Sequence, residues 1–341
     1  MIITRTPLRI SFFGGGTDFP EYYSENGGAV LATSVNRYCY INASQFPSSL
    51  FDYSIRVSYS RGELVKSPKD IEHPVFRACL ESVGISSDIE LHAILDMPAF
   101  TGLGSSSAFT VSLLHALHAF RGDRVTASTL ASEAIHIERE VLGECVGVQD
   151  QLMAAHGGFC FIEFAGDEMP RVSHVRIGLE NLLFLQSHML LVFTNIKRRA
   201  QEIEKTKLQA MRNRAPALRQ IHECCREALG IFEATGPLDV AAIGALLDES
   251  WQRKKSLSES VSNESIDRLY ELGKRHGAYG GKILGAGGGG FLLLLAPPDR
   301  HGDLKEAFTG FHALDVEIGV PGSEVIFNAA AARPHPIPFK L

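Results

Sequence analysis

Residues 98–108 read Pro-Ala-Phe-Thr-Gly-Leu-Gly-Ser-Ser-Ser-Ala, two glycines and three serines ahead of an apolar stretch reaching Phe120. A Gly/Ser loop that opens a helix gathers backbone N–H groups and the positive end of the helix in one place, which suits phosphate. The loop lacks the Lys of Gly-x-x-x-x-Gly-Lys-[Ser/Thr], so it is not the usual P-loop; the plainer alternative is a turn opening a buried helix. Two carboxylates follow. Over residues 127–142 the apolar stripe is Ala127, Leu130, Ala131, Ala134, Ile135, Val141 and Leu142, and Glu138 falls on it. A carboxylate on an apolar face needs a base, hydrogen bonds or a metal. A structural ion pair and a Mg²⁺ ligand are the two readings, and phosphate nearby favours the second. Asp150, in Gly147-Val-Gln-Asp-Gln151, is either the cap of a short helix or a catalytic base. Arg9 precedes Gly14-Gly-Gly-Thr-Asp18 and is placed either for phosphate or substrate, or for pairing with a carboxylate.

Local elements must position these groups. Leu8, Ile10 and Phe12 alternate with Arg9, Ser11 and Phe13, so Arg9 lies on the face of a strand opposite the aliphatic residues. Further strands are predicted at 29–31, 38–41, 55–59, 90–94, 157–164 and 190–194. A helix is predicted over 127–142, closed by Gly143. A polar, basic helix is predicted over about 200–211, with further helices to about 276. Gly285-Ala-Gly-Gly-Gly-Gly290 matches Gly-x-Gly-x-x-Gly, but that fingerprint must follow a strand and open a helix. Here a helical segment is predicted before it and a strand over 291–295 after it. The dinucleotide reading is therefore rejected, and the loop is expected to let backbone approach the site closely. The tail, residues 333–341, is too Pro-rich for regular structure.

The chain has 341 residues, a net charge of -6, 45% hydrophobic and 21% charged residues, a globular balance with no sign of a nucleic-acid partner. No secretory signal and no apolar run long enough to span a bilayer is present, so no membrane association is expected. The six cysteines form no Cys-x-x-Cys pair, which fits reduced thiols in a cytoplasmic enzyme. Length favours two domains, divided near residue 180: 1–180 and 181–341. Oligomeric state is not legible.

Taken together and in order, three motifs make the chain resemble the GHMP kinases, the superfamily of galactokinase, homoserine, mevalonate and phosphomevalonate kinases. They are Pro7-Leu-Arg-Ile-Ser-Phe-Phe-Gly-Gly-Gly-Thr-Asp18, residues 98–108, and residues 282–291. The resemblance covers nearly the whole chain. It implies an α+β, two-domain fold, with a ribosomal-protein-like N-terminal α/β domain and a ferredoxin-like C-terminal one. The first motif is most similar to a sugar 1-kinase branch that includes heptose 7-phosphate kinases and fucokinases. Galactokinases carry Gly-Glu-His-Thr-Asp in its place. Gly147-Val-Gln-Asp-Gln151 and Thr194-Asn-Ile-Lys-Arg-Arg-Ala200 also resemble the heptose-phosphate enzymes.

The resemblance implies roles. Gly102, Leu103, Gly104, Ser105, Ser106 and Ser107 would cradle the ATP phosphates. Ser106 and Glu138 would hold Mg²⁺. Asp150 would accept or orient the proton of the attacking hydroxyl, while Arg9 offsets charge on the phosphoryl group. Thr17 and Asp18 would bind sugar hydroxyls, and Gly287 and Gly288 would close over the substrate. Arg198, within the basic cluster at 197–199, would hold a distal phosphate; the plainer reading of that cluster is a solvated face. The expected activity is ATP- and Mg²⁺-dependent phosphorylation of the anomeric hydroxyl of D-glycero-D-manno-heptose 7-phosphate. The alternatives are a free-sugar 1-kinase acting on fucose or a relative, and a catalytically silent sugar-binding protein. Against silence, Arg9, Ser106, Glu138 and Asp150 are all present. The adenine pocket is expected near residues 59–63 and the start of the helix that follows the serines.

Overall fold

The computed structural model describes residues 1–98, 101–166, 168–196 and 215–329. The chain opens with β1 (Ile2–Phe13), the short α1 (Pro20–Asn26) and β2 (Gly28–Gln45). It continues with β3 (Ile55–Ser58), β4 (Gly62–Val65), α2 (Pro74–Val83) and β5 (Ile89–Leu95). Then come α3 (Ser105–Arg121), α4 (Ala127–His136) running into a π turn (Ile137–Val141), α5 (Gln149–His156), β6 (Phe159–Phe164) and β7 (Arg171–His174). The second half holds α6 (Leu179–Ser187), β8 (Met189–Phe193), α7 (Ala215–Phe232), α8 (Val240–Lys255), α9 (Glu264–Arg275), β9 (Gly280–Ile283) and β10 (Phe291–Leu295). It ends with α10 (His301–Ala307), β11 (His312–Leu314) and β12 (Glu324–Asn328).

The first sheet has eight strands, in the order β12-β1-β2-β5-β3-β4, with β6 also on β2 and β7 on β6. β2 is long enough to carry two neighbours on the same side of its ladder: residues 28–33 pair with β6, and residues 39–45 with β5. The strands predicted at 29–31 and 38–41 are therefore one. A register shift between Pro7 and Leu8 on β1 lets the β1–β2 ladder pass the polar stretch at Asn36–Arg37 unbroken. β1 likewise starts at Ile2 rather than Leu8. Thr4 and Thr6, buried, are good strand formers whose hydroxyls pair with Ser112 and Ser323.

The second sheet, β11-β8-β10-β9, is antiparallel throughout. Both its faces are covered. Met189, Leu191, Leu293 and Leu295 join the main core, while Leu190, Val192, Leu292 and Leu294 join a second cluster around Trp251 and Tyr270. Burial on two faces explains the uninterrupted Phe-Leu-Leu-Leu-Leu run of β10. Lys282 and Ile283, which follow the helix predicted to about 276, belong to β9, and the glycine run is the link of an antiparallel pair. No helix follows it, so the dinucleotide fingerprint remains excluded.

The two halves of the chain interlock. Phe232 of α7 packs on Phe12 and Phe159 of the first sheet, with ring centroids 6.3 and 4.9 Å away. β12 forms the edge of the first sheet against β1. α3 is buried nearly all round and packs on β1 and β2, which fits its weak polarity. The basic helix predicted over 200–211 and the Pro-rich tail lie outside the described residues. All six cysteines are free thiols, and no helix among the described residues is long and apolar enough to cross a membrane.

Candidate active site

The serine loop is held rigidly from both halves. α3 begins at Ser105 with Gly104 as its left-handed cap, φ 74°. Gly102 also has positive φ, 83°, and a Cβ there would stand 2.6 Å from the Leu284 carbonyl. The Arg9 amide donates to Leu103 O at 2.9 Å, Arg9 Nη1 to Gly102 O at 2.6 Å, and the Phe291 amide to Thr101 O at 3.1 Å. Leu103 is fully buried and anchors the loop. Gly102, Gly104 and the three serines line a cavity of about 540 Å³, a size suited to a small-molecule site.

Arg9 and Asp150 meet there across 141 residues of sequence. Nε donates to Oδ1 at 2.7 Å and Nη2 to Oδ2 at 2.6 Å, a bidentate pair that fixes the carboxylate plane. Of the two readings of Arg9, the carboxylate partner is what the fold shows, and that partner is itself the candidate base. Asp150 is the second residue of α5, whose cap is Val148, so the capping alternative does not hold.

Glu138 is 1% exposed. It lies in the π turn, where the Leu142 amide bonds back to Ile137 O at 2.9 Å; such turns recur at functional sites. Ser107 Oγ donates to Glu138 Oε2 at 2.9 Å and Gln151 Nε2 donates to the same atom at 2.5 Å. Oε1 is buried with no protein partner. Burial pushes the carboxyl up to about 7, against the lowering effect of the neighbouring Thr110 hydroxyl and of the hydrogen bonds from Ser107 and Gln151. Among the described residues no ion pair accounts for this group.

A divalent cation fits the donor set. Glu138 lines the cavity with an oxygen unclaimed, Ser106 is exposed to it, and both are hard ligands of the kind Mg²⁺ takes. Among the described residues four carboxylates line the cavity (Asp18, Glu138, Glu144 and Asp150) against two cations, Arg9 and Lys254. A triphosphate would need a further counter-charge there. Among the described residues no three His, Cys, Asp or Glu converge, so phosphate and water would have to complete the shell of a bound Mg²⁺.

The Glu138 carboxyl has a pH signature. Its folded value is raised above the usual 4.5, so the folded state binds more protons between pH 4.5 and 7, and stability falls as pH rises through that window. The loss approaches about 3 kcal/mol for a shift of this size. In the metal-free protein the Tm of wild type is expected to fall relative to that of Glu138→Gln from pH 5 to 8; the half-buried His73, His115, His156 and His222, held below the usual imidazole range by burial, add an opposite trend common to both proteins. Mg²⁺ added at pH 8 should raise the wild-type Tm and leave the variant unmoved. A Tm difference between wild type and Glu138→Gln that stays constant over the same window contradicts this account.

Asp18 is 1% exposed and accepts from the Gly16 amide at 2.9 Å, from Gln149 Nε2 at 2.9 Å and from the Gln149 amide at 3.4 Å. Burial raises its carboxyl, and the nearby Asp150 charge adds to the effect. Thr17 is different. It is fully buried, and its hydroxyl donates to Gly14 O and Ala29 O, so it shapes the turn carrying Asp18 and does not line the cavity. Gly287 and Gly288 also face elsewhere: the Gly288 amide donates to Val261 O, and a Cβ on Gly287 would strike the same carbonyl. Gly285 and Ala286 line the cavity in their stead. Arg198 lies outside the described residues.

Several lining residues carried little or no sequence signal. Gln149 precedes Asp150 in Gly147-Val-Gln-Asp-Gln151. Lys254 sits in Arg253-Lys-Lys255, which reads as an ordinary basic last turn. His73, Pro74 and Val75 line one end of the cavity. Glu63 holds His73 by accepting its amide at 3.2 Å, and Tyr59 packs edge-on to its ring. Residues 59–63 thus lie behind this wall.

The family pattern for the GHMP kinases N terminal domain matches residues 69–158, and that for GHMP kinases C terminal matches residues 231–312. A D-glycero-alpha-D-manno-heptose 7-phosphate kinase of Campylobacter jejuni is 32% identical over 90% of this chain and 92% of its own length. A bifunctional fucokinase/GDP-fucose pyrophosphorylase of Arabidopsis thaliana is 24% identical over 92% of this chain and 31% of its own length. The crystal structure of a D-glycero-D-manno-heptose 1-phosphate kinase from Bacteroides thetaiotaomicron superposes with TM-score 0.77 at 22% identity, covering 96% of this chain and 100% of that one.

Proposed function

The chain belongs to the GHMP kinases, and from that premise we propose that it transfers the γ-phosphoryl group of ATP to the anomeric hydroxyl of D-glycero-D-manno-heptose 7-phosphate, giving the 1,7-bisphosphate. That it is a sugar kinase follows from its family and relatives. The observation carrying the mechanism is the Arg9–Asp150 pair at the edge of the serine loop, in one cavity with Asp18.

Backbone N–H groups of residues 102–107 receive the phosphates at the start of α3. Asp18 accepts from sugar hydroxyls. Asp150, its plane set by Arg9, orients the anomeric hydroxyl and takes its proton as the new O–P bond forms and the bond to ADP breaks; a loose transition state permits late proton transfer. Arg9 offsets charge on the phosphoryl group. Mg²⁺, held by Ser106 and Glu138, would neutralise phosphate charge.

A coupled ADP-release assay over free sugars and sugar 7-phosphates tests the reading, with phosphorus NMR locating the new ester. The heptose 7-phosphate is expected to give the highest kcat/KM; better turnover of L-fucose would favour the free-sugar reading, which the fucokinase relative supports. We assign the distal phosphate to Arg198. Arg198→Ala is expected to raise KM for a sugar phosphate by about tenfold or more, as loss of a charge-assisted contact would, and to leave KM for the free sugar nearly unchanged. Equal effects on both would return the basic cluster to a solvated face.

A further inference from the structure

Three polar side-chain ends converge over Gly15. A Cβ built on it would lie 3.6 Å from Ser11 Oγ, 3.7 Å from Gln149 Nε2 and 3.9 Å from Lys254 Nζ. All four residues line the cavity. Ser11 is 3% exposed, and its hydroxyl has no protein partner; Gln149 Oε1 is also buried and unpartnered. Lys254, 5% exposed, reaches over from α8 and donates to Gly285 O at 2.6 Å. The Gly15 backbone does not require glycine. Its φ lies outside the left-handed region, and an added methyl would meet nothing closer than ordinary contact. The missing side chain leaves room for something else.

We propose that this space is a subsite for one hydroxyl of the sugar, accepting from Lys254 Nζ and from the second N–H of Gln149 Nε2 and donating to Ser11 Oγ. The inference rests on the sugar-kinase reading and adds residues to it. A hydroxyl has two lone pairs and one proton, which matches two donors and one acceptor. A phosphate fits worse: the Gln149 amide also donates to Asp18 Oδ2 at 2.9 Å, so an anion here would sit beside a carboxylate. Buried polar groups lacking partners are costly, and a ligand hydroxyl that satisfies them is strongly preferred over its deoxy analogue.

The test compares wild type, Lys254→Met and Gly15→Ala with the heptose 7-phosphate and its monodeoxy analogues at saturating ATP. Lys254→Met is expected to lower kcat/KM about 10–100-fold, chiefly through KM, as loss of a charged hydrogen bond would. For one deoxy analogue that penalty should vanish, because the hydroxyl is already gone. Gly15→Ala should raise KM for the parent sugar and change it less than about threefold for the same analogue.

A uniform penalty across the series would make Lys254 a mere prop for the Gly285 loop and overturn the proposal. A fall in kcat at constant KM would also overturn it, by placing Lys254 on the transferred phosphoryl group. Gly15→Ala serves alone if Lys254→Met does not fold. Trp251, the single tryptophan, lies on α8 one turn before Lys254 and gives a fluorescence readout of sugar binding independent of turnover. If wild type prefers another sugar, the heptose assignment fails while the subsite is tested on that sugar's deoxy series. If wild type binds and turns over none, the subsite falls with the kinase reading.

Discussion

Asp150→Asn is expected to lower kcat by a factor of about 10²–10⁴, the usual contribution of a positioned base, while ATP affinity stays within about threefold because the loop donors are backbone groups. In the proposed mechanism the carboxylate has two tasks that an amide cannot perform together. It must present a lone pair to the attacking hydroxyl, and it must satisfy Nε and Nη2 of Arg9 together. In the variant one guanidinium N–H faces an amide NH₂, and the Arg9 side chain is only 5% exposed. A buried charge stripped of its partner costs about 3–5 kcal/mol, reduced here by the acceptor that Asn retains, so Tm should fall as well. Adding Arg9→Met should recover Tm and recover none of the activity. Single-turnover phosphoryl transfer, ATP binding and thermal melts separate these effects. A variant retaining more than a tenth of wild-type kcat would remove Asp150 from the proton path.

Gly102→Ala is expected to disable the serine loop, the proposed phosphate cradle, without touching any side chain. The left-handed φ alone costs an alanine about 1–2 kcal/mol. The larger effect is steric. The methyl would meet Leu284 O at 2.6 Å and its carbonyl carbon at 3.0 Å. Leu284 cannot withdraw, since its amide is bonded to Phe291 O at 2.9 Å within the β9–β10 link. The loop cannot withdraw either, because Arg9 and Phe291 hold Gly102 and Thr101 by their carbonyls. A loss of about 2–4 kcal/mol in stability, or a rise of more than about tenfold in KM for ATP as the loop N–H groups move off target, should follow. Unchanged Tm together with unchanged KM would show that the two glycine loops do not brace each other in solution.

Much of the site was legible because local chemistry leaves local traces. Glu138 stood out as a carboxylate on an apolar stripe, and the fold buries it to 1%. Arg9 stood out by strand alternation, and the Gly/Ser loop by its composition and the apolar stretch behind it. Periodicity was a poorer guide where tertiary partners override it. β2 continues through a polar stretch because β1 shifts register beside it. Residues 282–283, beside a predicted helix, are a strand because β10 supplies their ladder.

The sequence by itself determined which residue types are available and which face of each element is apolar, since side-chain direction repeats every 3.6 residues in a helix and every two in a strand. It also singled out residues 98–108 as a loop whose backbone N–H groups suit phosphate. Only the tertiary structure decided which of three consecutive serines reaches Glu138: Ser107 bonds to it and Ser106 faces the cavity. Only the fold brought Asp150 onto Arg9, set Lys254 beside Gly15, and turned Gly287 and Gly288 away while Gly285 and Ala286 line the wall. These are contacts between segments tens to hundreds of residues apart. They follow from sheet order and from the packing of one half of the chain on the other, and no spacing along a single chain encodes them.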